Sequence, residues 1–382
     1  MSLLIQIVDP THFPSWDAML LRTPGASFFH GSAWARVLSE SYGYTPLYFT
    51  VMEGDKFRAL VPMMEVSSFL TGKRGVSLPF TDYCEPIIEE GISLQELLDH
   101  IVEYGRKRGW KHVELRGGKS LFPVPGSQFP VSPAERSSSS GTESFIPHSA
   151  FRIPHSEGPT PVPFITYFGH TLDLTKGVKA LHAGLRDSTR RNIKKAEKEK
   201  VEIRMEKTGE AMRDFYRLNC MTRREHGLPP QPYHFFEEVH RHIISKESGF
   251  IALAYFQGKA IAANVYFHFG DRAIYKYGAS DKKFQDLRAN NLVMWEAIKW
   301  FAGKGFKSFC FGRTELENEG LRQFKNGWGP EEHQIQYFKY DLRHGAFVAG
   351  KQKGEPIYTS LFRATPIPVL NVIGSLLYRH MG

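Results

Sequence analysis

The chain lacks the marks of several common protein classes. It has three cysteines in 382 residues, Cys84, Cys220 and Cys310, far apart and set mostly in apolar runs such as KSFCFG. They read as reduced core thiols, not as a disulfide framework. There is no CxxC pair, no HExxH and no other ligand spacing, so no metal is assigned and the 16 histidines are taken as surface or hydrogen-bonded core groups. There is no GxSxG elbow, which together with the apolar setting of the thiols disfavours a nucleophilic serine or cysteine. No run approaches the ~20 apolar residues of a membrane span. The first residues, MSLLIQIVDPTHF, lack the basic end and long apolar stretch of a signal peptide, and a cytoplasmic location is expected.

Acidic residues are fewer than basic ones, 40 against 49, for a formal net charge of +9. That excess favours anionic partners: nucleic acid, phosphorylated small molecules or an anionic membrane surface. The length exceeds the ~250 to 300 residues at which single cores stop growing, so two compact units are expected.

Ser32 begins a helix, and the following residues form two strands joined across Glu53 to Lys56. ISLQELLDHIVEYGRKRG has one apolar helical face and ends at Gly109 before the strand WKHVELRG. From Lys119 to Pro163 the chain is rich in Pro and Ser without sustained periodicity, an irregular insertion with disorder expected around Ser137 to Gly141. FITYFGHTLDLTKG returns to a strand, VKALHAGLRDSTRRNIKKAEKEK to a helix. Helices from Gly209 and Pro232 follow, then the hairpin FIALAYFQGKAIAANVYFHF, the strand RAIYKYGAS, the helix NNLVMWEAIKWFAGKG and the strand FKSFCFG. Helix, hairpin, strand, helix, strand in each half predicts an α+β protein of two similar units. Near the C-terminus, TPIPVLNVIGSLLYRHMG is apolar and followed by Arg379 and His380. It has the makings of a peripheral membrane contact, but packing against its own protein is the expectation.

The order and spacing of TRRNIKKAEK, TRREHGLPPQPYHFF, YKYGAS, NNLVMWEAIKW and FGRTELENEGLRQFKNGWG resemble the FemABX family of peptidyltransferases, and more closely its acetyltransferase-like relatives. The resemblance covers most of the chain apart from the insertion. It implies two tandem domains of the GCN5-related acetyltransferase fold, each a mixed sheet flanked by helices: 1–172 with 338–382, carrying the insertion 119–163, and 173–337. It also implies acyl transfer to nitrogen, with aminoacyl-tRNA as donor, no cofactor, and an amine of a peptidoglycan-type cell-envelope precursor as acceptor.

Such a reaction needs an amine that loses a proton and a stabilised oxyanion. The resemblance gives the cationic role to Lys325, with Phe324 shaping the pocket, and the acid or base role to Asp82 in LPFTDYCEP. Glu85 is the nearest competitor of Asp82, and Tyr83 is grouped with it as substrate-binding. Arg313, after a predicted strand end, suits phosphate or carboxylate recognition. The stretch LRDSTRRNIKKAEKEK places Arg191, Lys194, Lys195 and Lys198 on one broad helical face with Arg186 and Arg190 near its start. A solvated helix would look the same, yet the excess of one sign, unrelieved until Glu197 and Glu199, suits a polyanion such as tRNA. Arg186, Arg190, Arg191 and Lys194 are therefore candidates for substrate binding.

Two departures matter. The segment QDLRAN, Gln285 to Asn290, lacks the glycines of a coenzyme A pyrophosphate loop, and the side chain of Arg288 is expected to block approach of phosphates to the backbone. The run Pro229, Pro230, Gln231, Pro232, Tyr233 lacks an arginine that would help hold a nucleotide diphosphate, which favours a lipid-linked or polysaccharide amine. The competing readings are an acetyl-coenzyme A-dependent N-acetyltransferase of an exopolysaccharide amino sugar, and a nucleic-acid-binding module without catalysis.

Overall fold

The computed structural model describes residues 4–117, 161–350 and 358–382. The expected insertion, Ser137 to Gly141 included, lies outside the described residues apart from its last three, which lead into the strand Pro163–Asp173.

The described residues build an α+β fold around a 12-stranded mixed sheet and a second sheet of 4 strands. In the large sheet, Glu202–Glu206, Gly249–Phe256, Lys259–Phe269 and Arg272–Ser280 form an antiparallel meander. Arg272–Ser280 then runs parallel to Ser308–Glu315. The two long inner strands are buried almost throughout, because the helix Ala289–Gly303 and the helix Gly209–Glu225 both pack on them. A strand covered on both faces needs no polar alternation, which explains the runs FIALA and AIAANVYF.

Across the middle of the sheet, Pro163–Asp173 pairs with Ser308–Glu315 on one side and with Glu331–Asp341 on the other. Glu331–Asp341 pairs in turn with His112–Arg116, beyond which lie Gly72–Val76, Met64–Ser68 and Thr45–Pro46. Both units therefore share one sheet. Their cores merge too: Trp34 and Phe28, near and in the first part of the chain, meet Phe267 and Phe235, with Phe28 stacked on Phe267 at 4.8 Å.

Three local expectations change. The single helix through VKALHAGLRDSTRRNIKKAEKEK is two, Gly177–Ala183 and Asp187–Lys198. The break falls at Arg186, whose extended backbone turns its N–H to the carbonyl of Gly327 at 3.0 Å. The strand around FGRTE continues to Glu315, so Arg313 lies inside it and not after it. Lys325, in a segment for which no helix was expected, lies within the helix Glu319–Asn326, which Asn318 caps by accepting from the Leu321 N–H at 3.1 Å.

The C-terminal segment spans both units. The helices Tyr358–Ala364 and Ile367–Leu377 lie on Gly209–Glu225, and the turn Tyr378–His380 reaches Met64–Ser68. Gly374 permits this docking, since a Cβ there would come within 2.0 Å of the Pro230 carbonyl oxygen. Arg74 donates to the carbonyls of His380 at 2.8 Å and Gly382 at 2.8 Å, fixing the end of the segment.

Candidate active site

Strands Arg272–Ser280 and Ser308–Glu315 pair only from Arg272 to Ile274 and from Ser308 to Cys310, then part. Where they part, Ser308–Glu315 bulges between Cys310 and Arg313, with Gly312 at φ 71°. A bulge built on a left-handed glycine re-aims the peptide groups that follow it. Here the re-aimed carbonyls of Gly312 and Arg313 accept from Lys325 Nζ at 3.1 and 2.8 Å. The Arg313 N–H points the other way, to Asp82 Oδ1 at 3.4 Å. Asp82 closes on Gly312 so tightly that a Cβ there would meet Oδ1 at 3.1 Å. Lys325, Arg313 and Asp82, chosen from distant parts of the sequence, thus meet around one bulge.

Asp82 is delivered by a strained loop. Leu78 and Phe80 have φ of 55° and 59°, and left-handed backbone at such residues costs energy that the surroundings must hold. The carboxylate then pairs with Lys276, Nζ to Oδ2 at 2.9 Å. Lys276 is a site residue that sequence reasoning missed, although it lies in the quoted YKYGAS. A strand lysine looks solvent-facing, yet this one is 5 % exposed, its ammonium lying 5.3 to 5.7 Å from the ring centroids of Phe29, Trp34 and Tyr277. Its flanking aromatic and apolar residues, IYKYG, were the available signal.

The electrostatics separate the roles. Burial alone would raise the Asp82 pKa, but Lys276, Arg313 and Lys325 outweigh it and hold the carboxyl below its ordinary value. Asp82 is set to stay ionised. Burial lowers Lys276, with Asp82 offsetting part of that effect. Lys325, 2 % exposed, is pushed down to about 8 by burial, against the pull of Asp82. Its ammonium has three donors, and two are used on carbonyls. Tyr83 is kept protonated first by the neighbouring Cys310 thiol and then by burial. It packs against the Tyr167, Ile335 and Tyr337 cluster. Arg313 donates to Tyr337 Oη at 2.5 Å, and its guanidinium carbon lies 4.5 Å from the Tyr167 ring centroid.

Two clefts flank this centre. One, of about 410 Å³, is lined by Asp82, Lys276, Arg313, Arg223, His226 and Tyr378 among others, so both units and the C-terminal segment build it. His226 and Arg223 were also missed. Burial and then Arg223 lower the His226 pKa, leaving an imidazole that is neutral at neutral pH. The second cleft, of about 460 Å³, belongs to the second unit alone and is lined by Arg186, Thr189, Arg288, Phe324 and the first residues of the helix Ala289–Gly303. The start of that helix carries the positive end of its dipole, with the Asn291 N–H already donating to the Arg288 carbonyl at 3.0 Å. Arg288 takes the left-handed conformation, φ 58°, and borders the cleft.

The basic helix divides. Arg186 borders the second cleft. Thr189, Ile193 and Ala196 face inward, packing toward Ala289–Gly303, while Arg191 and Lys194 are exposed and line neither cleft. Arg190 pairs with Asp187 and donates to the Ala183 carbonyl at 3.0 Å, so the excess charge is relieved earlier than Glu197. All three cysteines are buried, and burial raises each thiol pKa, as suits core groups. Among the described residues, Glu40, Glu238 and His242 approach one another closely enough to suggest metal ligands. Arg241, 3.0 Å from Glu238, supplies positive charge there, and the group forms an ion-pair seam between helices of the two units.

Residues 183–333 match the family model described as acetyltransferase (GNAT) domain. This stretch holds the parted strands, the bulge, Lys325 and the whole of the second cleft. The matched residues carry a GNAT-type acetyltransferase domain, a domain type that goes with acyl transfer. No curated protein matches the chain in sequence. Among solved structures, it is similar to FemX at 12% identity and a TM-score of 0.61, over 87% of this chain and 96% of that one. It is similar to a tandem GNAT protein of the clavulanic acid biosynthesis pathway at 9% identity and 0.53, over 89% and 98%. L-PGS from Bacillus licheniformis is similar at 14% identity and 0.51, over 97% and 99%. At such identities the likenesses show the fold.

Proposed function

We propose that this chain transfers an aminoacyl group from aminoacyl-tRNA to an amine of a cell-envelope precursor in the cytoplasm, without a cofactor. The observation that carries the reading is the buried Lys325 ammonium, which lines neither cleft itself but has a neighbour in each. Its neighbour Phe324 lines one, and Arg313, whose carbonyl it bonds, lines the other. The cleft at the start of Ala289–Gly303 takes the donor, its phosphate held by helix N–H groups, Arg186 and Arg288. The cleft between the units takes the acceptor amine.

The amine lone pair attacks the donor carbonyl carbon. A C–N bond forms, the ester C–O bond breaks, and the proton lost by nitrogen is balanced by one gained by the leaving oxygen. Lys325, protonated below pH ~8, stabilises the oxyanion through its remaining N–H. Neutral His226 accepts the proton that an incoming ammonium must shed before attack. Asp82, kept ionised, fits an electrostatic role better than a proton shuttle: it fixes Lys276 and the Arg313 N–H. In this reading 173–337 supplies the donor side and much of the acceptor side. The C-terminal residues 338–382 complete the acceptor side through Tyr378.

A second reading, an acetyl-coenzyme A-dependent N-acetyltransferase acting on an exopolysaccharide amino sugar, is favoured by the open cleft beside Arg288. Calorimetry decides between donors. Saturable binding of acetyl-coenzyme A, with acetyl transfer to an amino sugar and none from charged tRNA, would replace the first reading by the second. Tight tRNA binding without transfer from either donor would favour a nucleic-acid-binding module.

A further inference from the structure

A helix that is apolar on all sides is normally enclosed. The helix Ile367–Leu377 is apolar but for Asn371 and Ser375, and it sits on the surface. Its inner face is spent on the protein through Leu370 and Gly374, and the following Tyr378 accepts from Arg223 and donates to the Pro229 carbonyl. The Arg74 clamp on His380 and Gly382 prevents the helix from rolling over. Its outer stripe, Val369, Val372 and Leu376, therefore stays exposed, with Leu376 at 65%. The tip of the hairpin made by Met64–Ser68 and Gly72–Val76 adjoins the end of this stripe. Phe69 there is 85% exposed, with its ring centroid 4.6 Å from that of His380, and Leu70 is exposed beside it. Two separate elements thus bring large apolar side chains to one neighbourhood.

The charges on these two segments share one sign. From Tyr358 to Gly382 there is no Asp or Glu, and Arg363 and Arg379 bracket the helix. From Val66 to Val76 there is again no acidic residue, and Lys73 is exposed. Apolar side chains on two segments that carry cations and no acid of their own match the boundary between acyl chains and anionic headgroups, although Glu225 lies beside Arg363.

We propose that this face seats the protein on an anionic phospholipid surface, so that the acceptor amine is carried by a membrane lipid or lipid-linked precursor. The substrate half of this statement rests on the acyl-transfer reading above. Tyr378, at the end of the seated helix, lines the acceptor cleft with Lys276 and Asp82, so a headgroup amine at the surface has a short path to the reacting centre.

Co-sedimentation of the full chain with phosphatidylglycerol–phosphatidylcholine vesicles, compared with pure phosphatidylcholine, tests it without any substrate. Binding is expected to the anionic vesicles and to weaken with salt. The double substitution Val372→Glu and Leu376→Glu should reduce it by about tenfold or more, from lost apolar burial. Phe69→Ser, on the separate hairpin, should reduce it several-fold, so the proposal survives a folding defect in the helix variant. Equal binding to neutral vesicles, no binding to either, or binding untouched by Phe69→Ser and the double variant would overturn it. So would a wild-type dimer in light scattering that the double variant dissolves, since a second copy would then cover the face. Because vesicle binding is read apart from turnover, a chain that binds but transfers nothing loses only the acyl-transfer reading. A chain that transfers to soluble amines but ignores vesicles loses only this one.

Discussion

The two clefts differ in how the chain makes them. The one beside Ala289–Gly303 comes from residues 186–324 and would survive as a unit of local sequence. The one around Asp82 draws on residues near 80, 220, 276 and 313 and on Tyr378, and exists only when the whole molecule is assembled. The first mixes an exposed Arg186 with buried polar groups, Thr189, Asp281 and Asn291. The second holds one buried lysine, Lys276, and has another, Lys325, bonded to the carbonyl of its lining residue Arg313; each has a different solution to its charge. Lys276 is matched by a carboxylate at 2.9 Å and by aromatic rings, whereas Lys325 bonds two carbonyls and feels Asp82 without bonding it. A lysine matched by a carboxylate is structural in its demands; a lysine left with dipoles keeps charge in reserve for something else.

The sharpest way to break this contrast is Asp82→Asn. It strands the buried Lys276 ammonium and should destabilise the protein by roughly 3–5 kcal/mol, with turnover lost in consequence. A chemical melt within about 1 kcal/mol of wild type would show that the pair is not holding the seam.

Lys325→Met should do the reverse. It removes a charge whose burial is costly while leaving two carbonyls without a donor, so stability should change little, whereas turnover should fall by about 10²- to 10³-fold. Unchanged turnover removes Lys325 from the chemistry.

The pH response sharpens the same point. Activity that needs the Lys325 ammonium should decline as pH rises past about 8. Stability should move the other way. Below pH 8 both folded and unfolded chains hold the proton, and the folded state bears the full burial cost. Between about 8 and the unfolded value of 10.5, the unfolded chain binds more protons, so the folded state gains. Melting temperatures of wild type and Lys325→Met across that window should converge or cross; parallel curves would contradict the lowered pKa.

At the donor cleft, Arg288→Ala should raise the donor KM by several-fold with kcat nearly unchanged, as uniform binding is lost. The smallest effect belongs to the solvent face of the basic helix. Arg191→Gln with Lys194→Gln should leave stability alone and lower the salt slope of tRNA binding by about one to two. An unchanged slope would make that face a solvated one.

Much of this was legible beforehand, for identifiable reasons. Helices with one apolar face, such as Leu94–Arg108, and strands covered on both sides announce themselves locally. Lys325, Phe324 and Asp82 were reachable through motif resemblance, and the structure brings Lys325 and Asp82 to opposite sides of Gly312. The helical setting of Lys325 was not legible, because Glu319–Asn326 is short and its cap, Asn318, lies in a polar run. Lys276 escaped because its burial is imposed by Phe29 and Trp34, far away in sequence, and His226 because an exposed histidine at a helix end carries no local mark. The pairing of Pro163–Asp173 with Glu331–Asp341 escaped for the same reason: register across a gap that long leaves no mark on either strand alone.

That pairing has a mechanical outcome. Proteins with two halves usually admit or release large ligands by rotating one half against the other about a linker. Here the seam is a continuous hydrogen-bonded ladder, reinforced by aromatic side chains interlocked from both sides, and it offers no hinge. Access must come from movement of side chains and loops at the rim, and the two halves should melt as one cooperative body.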